Sequence, residues 1–517
     1  MRTPLLAARA AGLPLAFLGT LALLAGCLRP VGPNYSGPPK PLTPDPTRFK
    51  NDGPYANRWK AAEPDDKQVR GPWWQIFRDP DLDRLEGAAV ANNQDLRLSL
   101  ARIDESRAQT RVAAADFYPQ FSYDPSYARQ RTSSNVPIQR AQLVGSNPFA
   151  GGGGGAAGGA AGGSGGPLIL TNQPLSRSFA LFRQPVDLNW ELDLFGRVRR
   201  SYEAARAERE SVEADLQNVG LMVTANVAVS YFNLRALDTE VSVIESTIKA
   251  RREALGIANE RLQAGLTGEL DVVREKADLA SNEADLAGVR RTRAQLENAL
   301  ATLVGQPAST FRMGKHDLPR QSPPRVPPGL PSRLLERRPD VAEAERQLAA
   351  ANARIGVAVA AFFPRINITG AAGFESATVT DLFNWQSRIW SLGPSISLPI
   401  FEGGRNKANL DAARAQYEQG VARYRQQVLA AFQDVENSLS DLRFLAEQAA
   451  AQGRAVEAAR RTLELSQNQY RNGAVTFLDV TDAERTVFNS ERTAAQLLGQ
   501  RMQATVQLIK ALGGGWN

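Results

Sequence analysis

An internal repeat restricts this chain to a fold that is built from two similar halves. The segment GRVRRSYEAARAERE begins at Gly196 and GRNKANLDAARAQYE begins at Gly404, an offset of 208 residues (404 − 196). Further upstream, Pro119 and Pro364 stand in similar surroundings at an offset of 245 residues (364 − 119). The difference of 37 residues (245 − 208) predicts an insertion in the first half, between Pro119 and Gly196.

The two halves and the segments around them give the predicted domain organisation. The insertion contains the glycine-rich run 151–166, whose composition is typical of a flexible surface loop. Each half is predicted to contain a helix, a β-hairpin and long helices, in that order. The predicted ranges are 71–312 for the first half, 313–333 for a proline-rich linker, 334–517 for the second half, about 117–195 and 362–401 for the hairpins, and 197–305 and 404–513 for the long helices.

The start of the chain has the pattern of a secretory signal. A basic residue precedes a largely apolar stretch, and Leu24-Ala25-Gly26-Cys27 resembles the lipobox of bacterial lipoproteins. We therefore expect residues 1–26 to be removed and Cys27 to be acylated, although a chance cysteine after an apolar segment remains the alternative. The following residues 27–70 are rich in proline and predict an extended arm, and Leu28 after the cysteine favours the outer membrane.

Alternating polar and apolar residues predict four strands with two different faces. From Val186 to Leu194, every second residue is apolar and the residues between them are polar. Phe121 to Tyr127, Ile366 to Thr369 and Trp390 to Ile400 show similar alternation. Such strands suit a transmembrane barrel with lipid outside and water inside, which we favour over a half-buried sheet of a soluble protein. The residues expected to face the barrel lumen are Asp187, Asn189, Glu191 and Asp193.

The number of strands predicts an oligomer. Four strands cannot close a barrel, and an open sheet edge is not tolerated in lipid. Two chains would give about eight strands, whose interior is filled by side chains, whereas three chains would give about twelve strands and leave room for water. We therefore expect a trimer.

The helical parts of the sequence predict a long coiled structure. No proline occurs between Arg405 and Leu445, and apolar residues recur there at steps of three and four. About 40 helical residues make a rod of roughly 60 Å, and we expect a second helix after each rod, a tight turn at Gly265 or Gly473, and a returning helix. The seam of this rod consists of Val421, Tyr424, Val428, Phe432, Val435, Leu439 and Leu442.

Composition argues against several other functions. The chain has one histidine, His316, and one cysteine, so neither a His/Cys metal cluster nor an internal disulfide is expected. The net charge of +7 is spread along helical stretches among acidic residues, which is typical of solvated helix faces and not of a nucleic-acid site. No nucleophile–base pair or phosphate loop is recognisable, so we expect neither an enzyme nor a cofactor.

Several motifs, in this order, resemble the outer membrane factors of the TolC family, in particular the lipoprotein branch that serves resistance-nodulation-division efflux pumps. The motifs are VGPNY after Cys27, WWQIFRDPDLDRL, ELDLFGR, LLERRPDVAEAERQL and GAVTFLDVTDAE. The resemblance implies mixed α and transmembrane β structure, in a homotrimer with a 12-stranded outer-membrane barrel above a periplasmic tunnel. It also implies that a periplasmic adaptor contacts the turns at Gly265 and Gly473 and links the channel to an inner-membrane transporter.

Acidic residues follow both turns and are candidates for a periplasmic gate. They are Asp271 in the first half and Asp479 and Asp482 in the second. Residues three apart share a helix face, so in a trimer Asp479 and Asp482 would form stacked rings of carboxylates, which select cations. The resemblance places the periplasmic constriction at these positions. A competing interpretation is that Asp479, three residues after Thr476, completes a helix cap.

Three alternatives to a drug-efflux channel remain open. Within the channel class, the chain could be the exit duct for type I protein secretion or for metal-ion efflux. In a different class, a structural coiled-coil lipoprotein would explain the anchor and the helices but not the four amphipathic strands. We expect a passive exit channel for small molecules, because a channel accounts for all of these features, although the sequence does not name the cargo.

Overall fold

The computed structural model describes residues 30–38, 71–131, 178–265, 268–318, 323–324 and 338–514. The predicted signal peptide 1–26, Cys27, the glycine-rich run 151–166, and parts of the arm and linker lie outside the described residues. The chain divides into a strand unit, formed by the described residues of Ala114–Phe195 and Phe362–Ile400, and a helical unit formed by most of the others.

The helical unit begins with a short 3₁₀ turn, Trp73–Phe77. Within the described ranges it contains helices α1 Pro80–Asn92, α2 Gln94–Ala115, α3 Arg197–Gln263, α4 Glu269–Leu303, α5 Pro339–Ala360, α6 Arg405–Arg471 and α7 Phe477–Ala511. In that part of the chain, no helix has an apolar stretch long enough to cross a membrane.

The long helices of the two halves have equal lengths. Helices α3 and α6 each have 67 residues and begin 208 residues apart (405 − 197), and α4 and α7 each have 35 residues at the same offset (477 − 269). A helix of 67 residues is about 100 Å long. The prediction of a 40-residue rod followed by a separate helix was therefore wrong. The stretch after Leu445 is rich in alanine and contains no proline, so nothing in it interrupts the helix.

The ends of the last helix in each half are held in a similar way. In the first half, the Asn93 side chain donates a hydrogen bond to the carbonyl of Leu303, 2.8 Å away. In the second half, Arg338 donates to the carbonyl of Ala511 at 3.2 Å. Asn93 and Arg338 differ by 245 residues (338 − 93) and the two carbonyls by 208 (511 − 303), so these bonds occupy matching places in the repeat.

Apolar side chains fill three clusters along the helical unit. The first joins Trp73 and α1 to α3, α4 and α7. The second joins α5, α6 and α7, and it contains the whole predicted seam except Val421, which is also buried. The third joins α3, α4 and α7 further along the rods, around Ile244 and Phe488. Because each long helix buries only a stripe, much of its remaining surface stays available for other contacts.

The strand unit is one antiparallel sheet. Its strands in the described ranges are β1 Gln120–Tyr123, β2 Ser126–Arg131, β3 Ser178–Leu192, β4 Arg365–Ser376 and β5 Arg388–Ser397. Strands β1 and β2 both pair with the same edge of β3, whose other edge pairs with β4, and β4 pairs with β5. The described sheet thus has five strands where the sequence predicted four, because the first predicted strand is interrupted at Asp124 and Pro125 and forms β1 and β2 along one edge of β3.

Two strand ends differ from the prediction. Strand β3 ends at Leu192, because the amide of Leu194 donates to the carbonyl of Leu192 at 2.8 Å and so leaves the sheet. Asp193, predicted to face the lumen, therefore lies outside the strand. Strand β5 ends at Ser397, so Ile400 is not part of it. The interruption of the first strand coincides with Pro125, which has no amide hydrogen for the ladder.

Candidate functional site

The register of the sheet separates polar from apolar side chains. Residues that pair directly across antiparallel strands point to the same face. Asp187 pairs with Ser122 on β1 and with Ala371 on β4, and Ala371 pairs in turn with Ser391 on β5. The same face carries two further rows that cross the sheet: Gln120, Asn189, Thr369 and Gly393, then Glu191, Asn367 and Ser395.

The opposite face of the sheet is apolar. Trp190 pairs with Ile368, and Leu188 pairs with Phe121 and Gly370. On β5, Trp390 and Leu392 are 82% and 66% exposed. Large exposed apolar side chains of this kind mark contact with a membrane or a partner.

Glycines form the turns between the long helices. Gly265 follows α3 with φ of +72°, and Gly473 follows α6 with φ of +73°. Only glycine adopts this left-handed conformation without strain. After Gly473, the amide of Ala474 donates to the carbonyl of Gln469 at 2.9 Å, which closes the helix end. Both turns have open space around them, since a Cβ added at Gly265 or Gly473 would have no atom within 4 Å.

Asp479 takes part in the cap of α7. Its carboxylate accepts hydrogen bonds from the amide of Thr476 at 2.8 Å and from the Thr476 hydroxyl at 2.7 Å. These bonds hold the pKa of the Asp479 carboxyl below its ordinary value. The geometry agrees with the capping interpretation, and it leaves the carboxylate exposed and charged.

The other two predicted gate residues have different surroundings. Asp482 is exposed, and its carboxylate lies 3.5 Å from the guanidinium of Arg485. Arg485 also donates to Asp278 on α4, at 3.1 Å, so it links the two hairpins. Asp271 is half-buried in the first turn of α4, at the position that matches Asp479. The structure thus brings Asp482 near α4 through Arg485.

A buried charge cluster near the hairpin ends was missed by the sequence analysis. Arg251 on α3 is buried and donates to the carboxylate of Glu275 on α4, at 3.1 and 3.3 Å. Asp278 lies 3.3 Å from the same nitrogen and Glu484 on α7 lies 3.6 Å from it. Thr481 on α7 donates to Glu275 at 3.3 Å. Helices of both halves therefore meet at one guanidinium.

The charges in this cluster do not balance. Burial raises the pKa of the Glu484 carboxyl, Arg251 opposes that rise, and Glu275 and Asp278 add to it.

A comparison of the two halves could have revealed the site. At the offset of 208, Arg251 and Glu275 match Ala459 and Ala483, so the charges occur in only one copy.

The combination of an amphipathic antiparallel sheet and two long helical hairpins in one chain defines a subunit of an outer-membrane channel. A sequence profile of the family described as "Outer membrane efflux protein" matches residues 85–306 and 330–514. The chain belongs to this family. It is located in the outer membrane and is the exit channel of a tripartite efflux system.

Individual relatives agree with this assignment. The chain is 31% identical over 509 residues to the probable outer membrane lipoprotein SilC of Salmonella typhimurium, covering 98% of this chain and 99% of SilC. It is 33% identical over 449 residues to the solvent efflux pump outer membrane protein SrpC of Pseudomonas putida, covering 86% and 87% of the two chains. The structure of the outer-membrane channel OprN aligns with a TM-score of 0.78 and 30% identity, covering 94% of this chain and 99% of OprN.

Proposed function

We propose that three copies of this chain form one channel, in which a barrel of twelve strands, four from each chain, continues into a periplasmic tunnel of coiled helices. The register of the sheet carries this proposal. It puts Asp187, Asn189 and Glu191 on one face and Leu188 and Trp190 on the other. Water inside a barrel and lipid outside it satisfy both faces at once.

The edges of the sheet support closure between chains. In the described part of the chain, β5 pairs only with β4, and β1 and β2 pair only with β3. Backbone groups at both edges therefore need partners before they enter lipid. Pairing β5 of one copy with β1 and β2 of the next closes the barrel, and twelve strands leave an aqueous interior that eight do not.

The helical unit supports the same assembly. Helix α5 packs against α3 of the first half and against α6 of its own half. Helix α2 occupies the matching place in the first half and exposes Leu98, Leu100 and Val112, the last of them 71% exposed. In a ring of three chains, α6 of a neighbouring copy covers α2, just as α6 covers α5 within one chain.

The cargo and the partners are part of the same proposal. The channel passively conducts small molecules such as drugs, without enzymatic chemistry, and a relative named for solvent efflux supports such a cargo. The turns at Gly265 and Gly473 contact a periplasmic adaptor, which joins the channel to a resistance-nodulation-division transporter of the inner membrane. Leu270 and Leu478 follow the two turns at matching positions and are exposed, so they supply apolar surface for that contact.

The amino terminus attaches to outer-membrane lipid. Cleavage after residue 26 leaves Cys27 to be acylated, and a relative named as a lipoprotein supports this step. Two or three acyl chains anchor a protein stably, since each buried methylene contributes roughly 0.8 kcal/mol.

Three acidic residues form the periplasmic gate. Asp482 is the principal candidate, because its carboxylate is exposed and has no role in the cap. Asp479 contributes charge while it caps α7, and Asp271 is its counterpart in the other hairpin. Rings of carboxylates at a constriction favour cations over anions.

Conductance in a planar bilayer tests the channel itself. We expect stable conductance from the purified protein and a detergent-corrected mass of three chains. A monomeric mass, or the absence of conductance, would contradict the proposal.

Deleting the channel should raise sensitivity to small apolar drugs. Unchanged drug sensitivity with increased metal sensitivity, or with loss of a secreted protein, would assign the channel to one of the other cargoes.

Variants of the acidic residues test the gate. Asp482→Asn removes a charge without removing a cap, so we expect lower cation selectivity and weaker block by multivalent cations from the periplasmic side. Asp479→Asn should do the same and also weaken the start of α7. Asp411→Asn, at an exposed site near the other end of α6, is the matched control. Equal selectivity in Asp482→Asn and the control would show that Asp482 has no role in the gate.

A further inference from the structure

A short segment near the amino terminus lies against the helical unit in an ordered way. This segment, Pro30–Pro38, is called the strap here. Arg200 on α3 holds it with three hydrogen bonds. The Arg200 Nε donates to the carbonyl of Val31 at 3.1 Å, and Nη2 donates to the carbonyl of Gly32 at 3.3 Å and to the side-chain oxygen of Asn34 at 2.7 Å.

Arg200 is buried, and the strap supplies hydrogen-bond acceptors that water would otherwise provide. The residue is 1% exposed, and its remaining partner is Glu203, 2.7 Å away. A buried guanidinium is stable only when its donors are hydrogen-bonded, and here the strap provides three of the acceptors. Without the strap, Arg200 would need water in those places, so docking of the strap and burial of Arg200 occur together.

Two glycine contacts show how closely the strap fits. Gly32 has φ of +90°, and a Cβ on it would lie 2.5 Å from the Cα of Gly356 on α5. A Cβ on Gly196, which precedes α3, would lie 2.3 Å from the Cβ of Pro30. Neither position has room for a side chain, so the strap and helices fit backbone to backbone.

The strap also crosses from the first half to the second. Asn352 on α5 donates to the carbonyl of Pro33 at 3.0 Å. Burial, followed by the nearby charge of Glu345, raises the pKa of the Tyr35 hydroxyl, and Tyr424 of α6 adds to this. The strap therefore contacts α3 and α5, and hydrogen bonds from both helices fix its place.

We propose that Arg200 and the strap hold the lipid anchor close to the point where the strands end and the helices begin. This inference rests on the proposed acylation of Cys27. Pro30 is three residues after Cys27 (30 − 27), and three residues of extended chain span at most about 11 Å. Pro30 contacts Gly196, which is four residues after the end of β3 (196 − 192).

The strap makes a large difference to where the anchor can be. If it were undocked, the chain from Pro30 to Gly71 would become a tether of 41 residues (71 − 30). With the strap docked, the acyl chains bring the strands to the membrane surface. With it undocked, the anchor retains the protein on the membrane but no longer positions the strands for insertion.

A substitution on the strap itself tests this role without altering the helices. Gly32→Ala introduces left-handed strain and, in addition, the contact with the backbone of Gly356, and we expect it to lower the equilibrium constant for docking more than about tenfold. Gly37→Ala is the matched control, because Gly37 also has a positive φ of +108° but no atom within 4 Å of its Cβ position. Asn34→Ala removes one acceptor of Arg200 and should act in the same direction as Gly32→Ala.

The measurement is the rate at which newly made chains become protease-resistant in the outer membrane, compared in Cys27 and Cys27→Ser backgrounds. We expect Gly32→Ala to slow insertion in the acylated protein, by up to the factor that the docking equilibrium loses, and to have no further effect in Cys27→Ser. An equal slowing in both backgrounds, or in neither, would overturn the inference. Mass spectrometry of the amino-terminal peptide is done in parallel, since an unmodified Cys27 would refute the proposed acylation instead.

Discussion

Glu86 provides a quantitative test of the packing in the helical unit. It lies on α1 between Leu82, Leu85 and Ala89, which belong to the largest apolar cluster, and it is 0% exposed. Neither carboxyl oxygen has a hydrogen-bond partner among the residues that the structure describes. Burial raises the pKa of Glu86 to about 9, and the nearby charge of Asp83 adds to the rise. The folded protein therefore holds this side chain in its neutral form at pH 7.

The raised pKa makes stability depend on pH in a defined direction. The folded state keeps a proton that the unfolded state releases above its ordinary pKa of 4.5, so the free energy of unfolding falls as pH rises from 4.5 to about 9. The slope is about 1.4 kcal/mol per pH unit. At pH 7, 2.5 units above the ordinary value, Glu86 destabilises the fold by about 3 kcal/mol relative to a neutral side chain of the same shape.

Glu86→Gln removes this titration while keeping the shape. We expect the variant and the natural protein to be similar in stability near pH 5, and the variant to gain about 1.4 kcal/mol per pH unit above that. Urea unfolding of the detergent-solubilised protein between pH 5 and pH 8 measures the difference. Glu105→Gln on α2, at an exposed site, is the control and should show no such trend. A constant difference across this pH range would refute the reasoning.

Two further predictions concern the sheet and a second buried charge. Cysteines placed singly at Leu188 and Asn189 should differ in their reaction with a water-soluble thiol reagent, with only position 189 labelled, and equal labelling would contradict the assignment of faces. Asp238 lies 3.0 Å from Arg235 and 2.6 Å from Arg293 and is fully buried, so Asp238→Asn should lower the free energy of unfolding by about 3–5 kcal/mol in urea.

Features that depend on one residue type at one place could be predicted from the sequence. The turns at Gly265 and Gly473 need a left-handed residue, and glycine supplies it in both halves. The faces of the sheet could be predicted because side chains alternate along a strand. The end of β3 could not, because it depends on the amide of Leu194 turning back to Leu192.

Contacts between distant helices were beyond sequence reasoning. Arg251 and Arg252 are adjacent in the sequence, yet the first is buried against Glu275 and the second is exposed. Which of two neighbouring residues faces a second helix depends on how the helices cross, and the sequence alone does not specify this. Arg200 is a similar case, since its partners Val31 and Asn34 are more than 160 residues away (200 − 34 = 166).

The cluster at Arg251 allows a prediction from the difference between the two halves. Arg251→Ala leaves Glu275 buried without its cation, which typically lowers the free energy of unfolding by about 3–5 kcal/mol. Changing both residues to alanine removes Arg251 together with Glu275, the nearest of its three acidic partners, and it reproduces the pair Ala459 and Ala483 of the second half. We therefore expect the double variant to be more stable than Arg251→Ala alone.

A double-mutant cycle in urea measures the coupling between Arg251 and Glu275. The matched control is the pair Arg252 and Glu283, which lie 2.7 Å apart between the same two helices but are exposed to solvent. An exposed pair contributes at most about 1 kcal/mol, so its coupling should be small. For the buried pair, the double variant should lose clearly less stability than the sum of the two single losses. If the loss in the double variant equals the sum of the two single losses, then water or other groups already satisfy Glu275. The contribution of Glu275 to the free energy of unfolding would then not depend on Arg251.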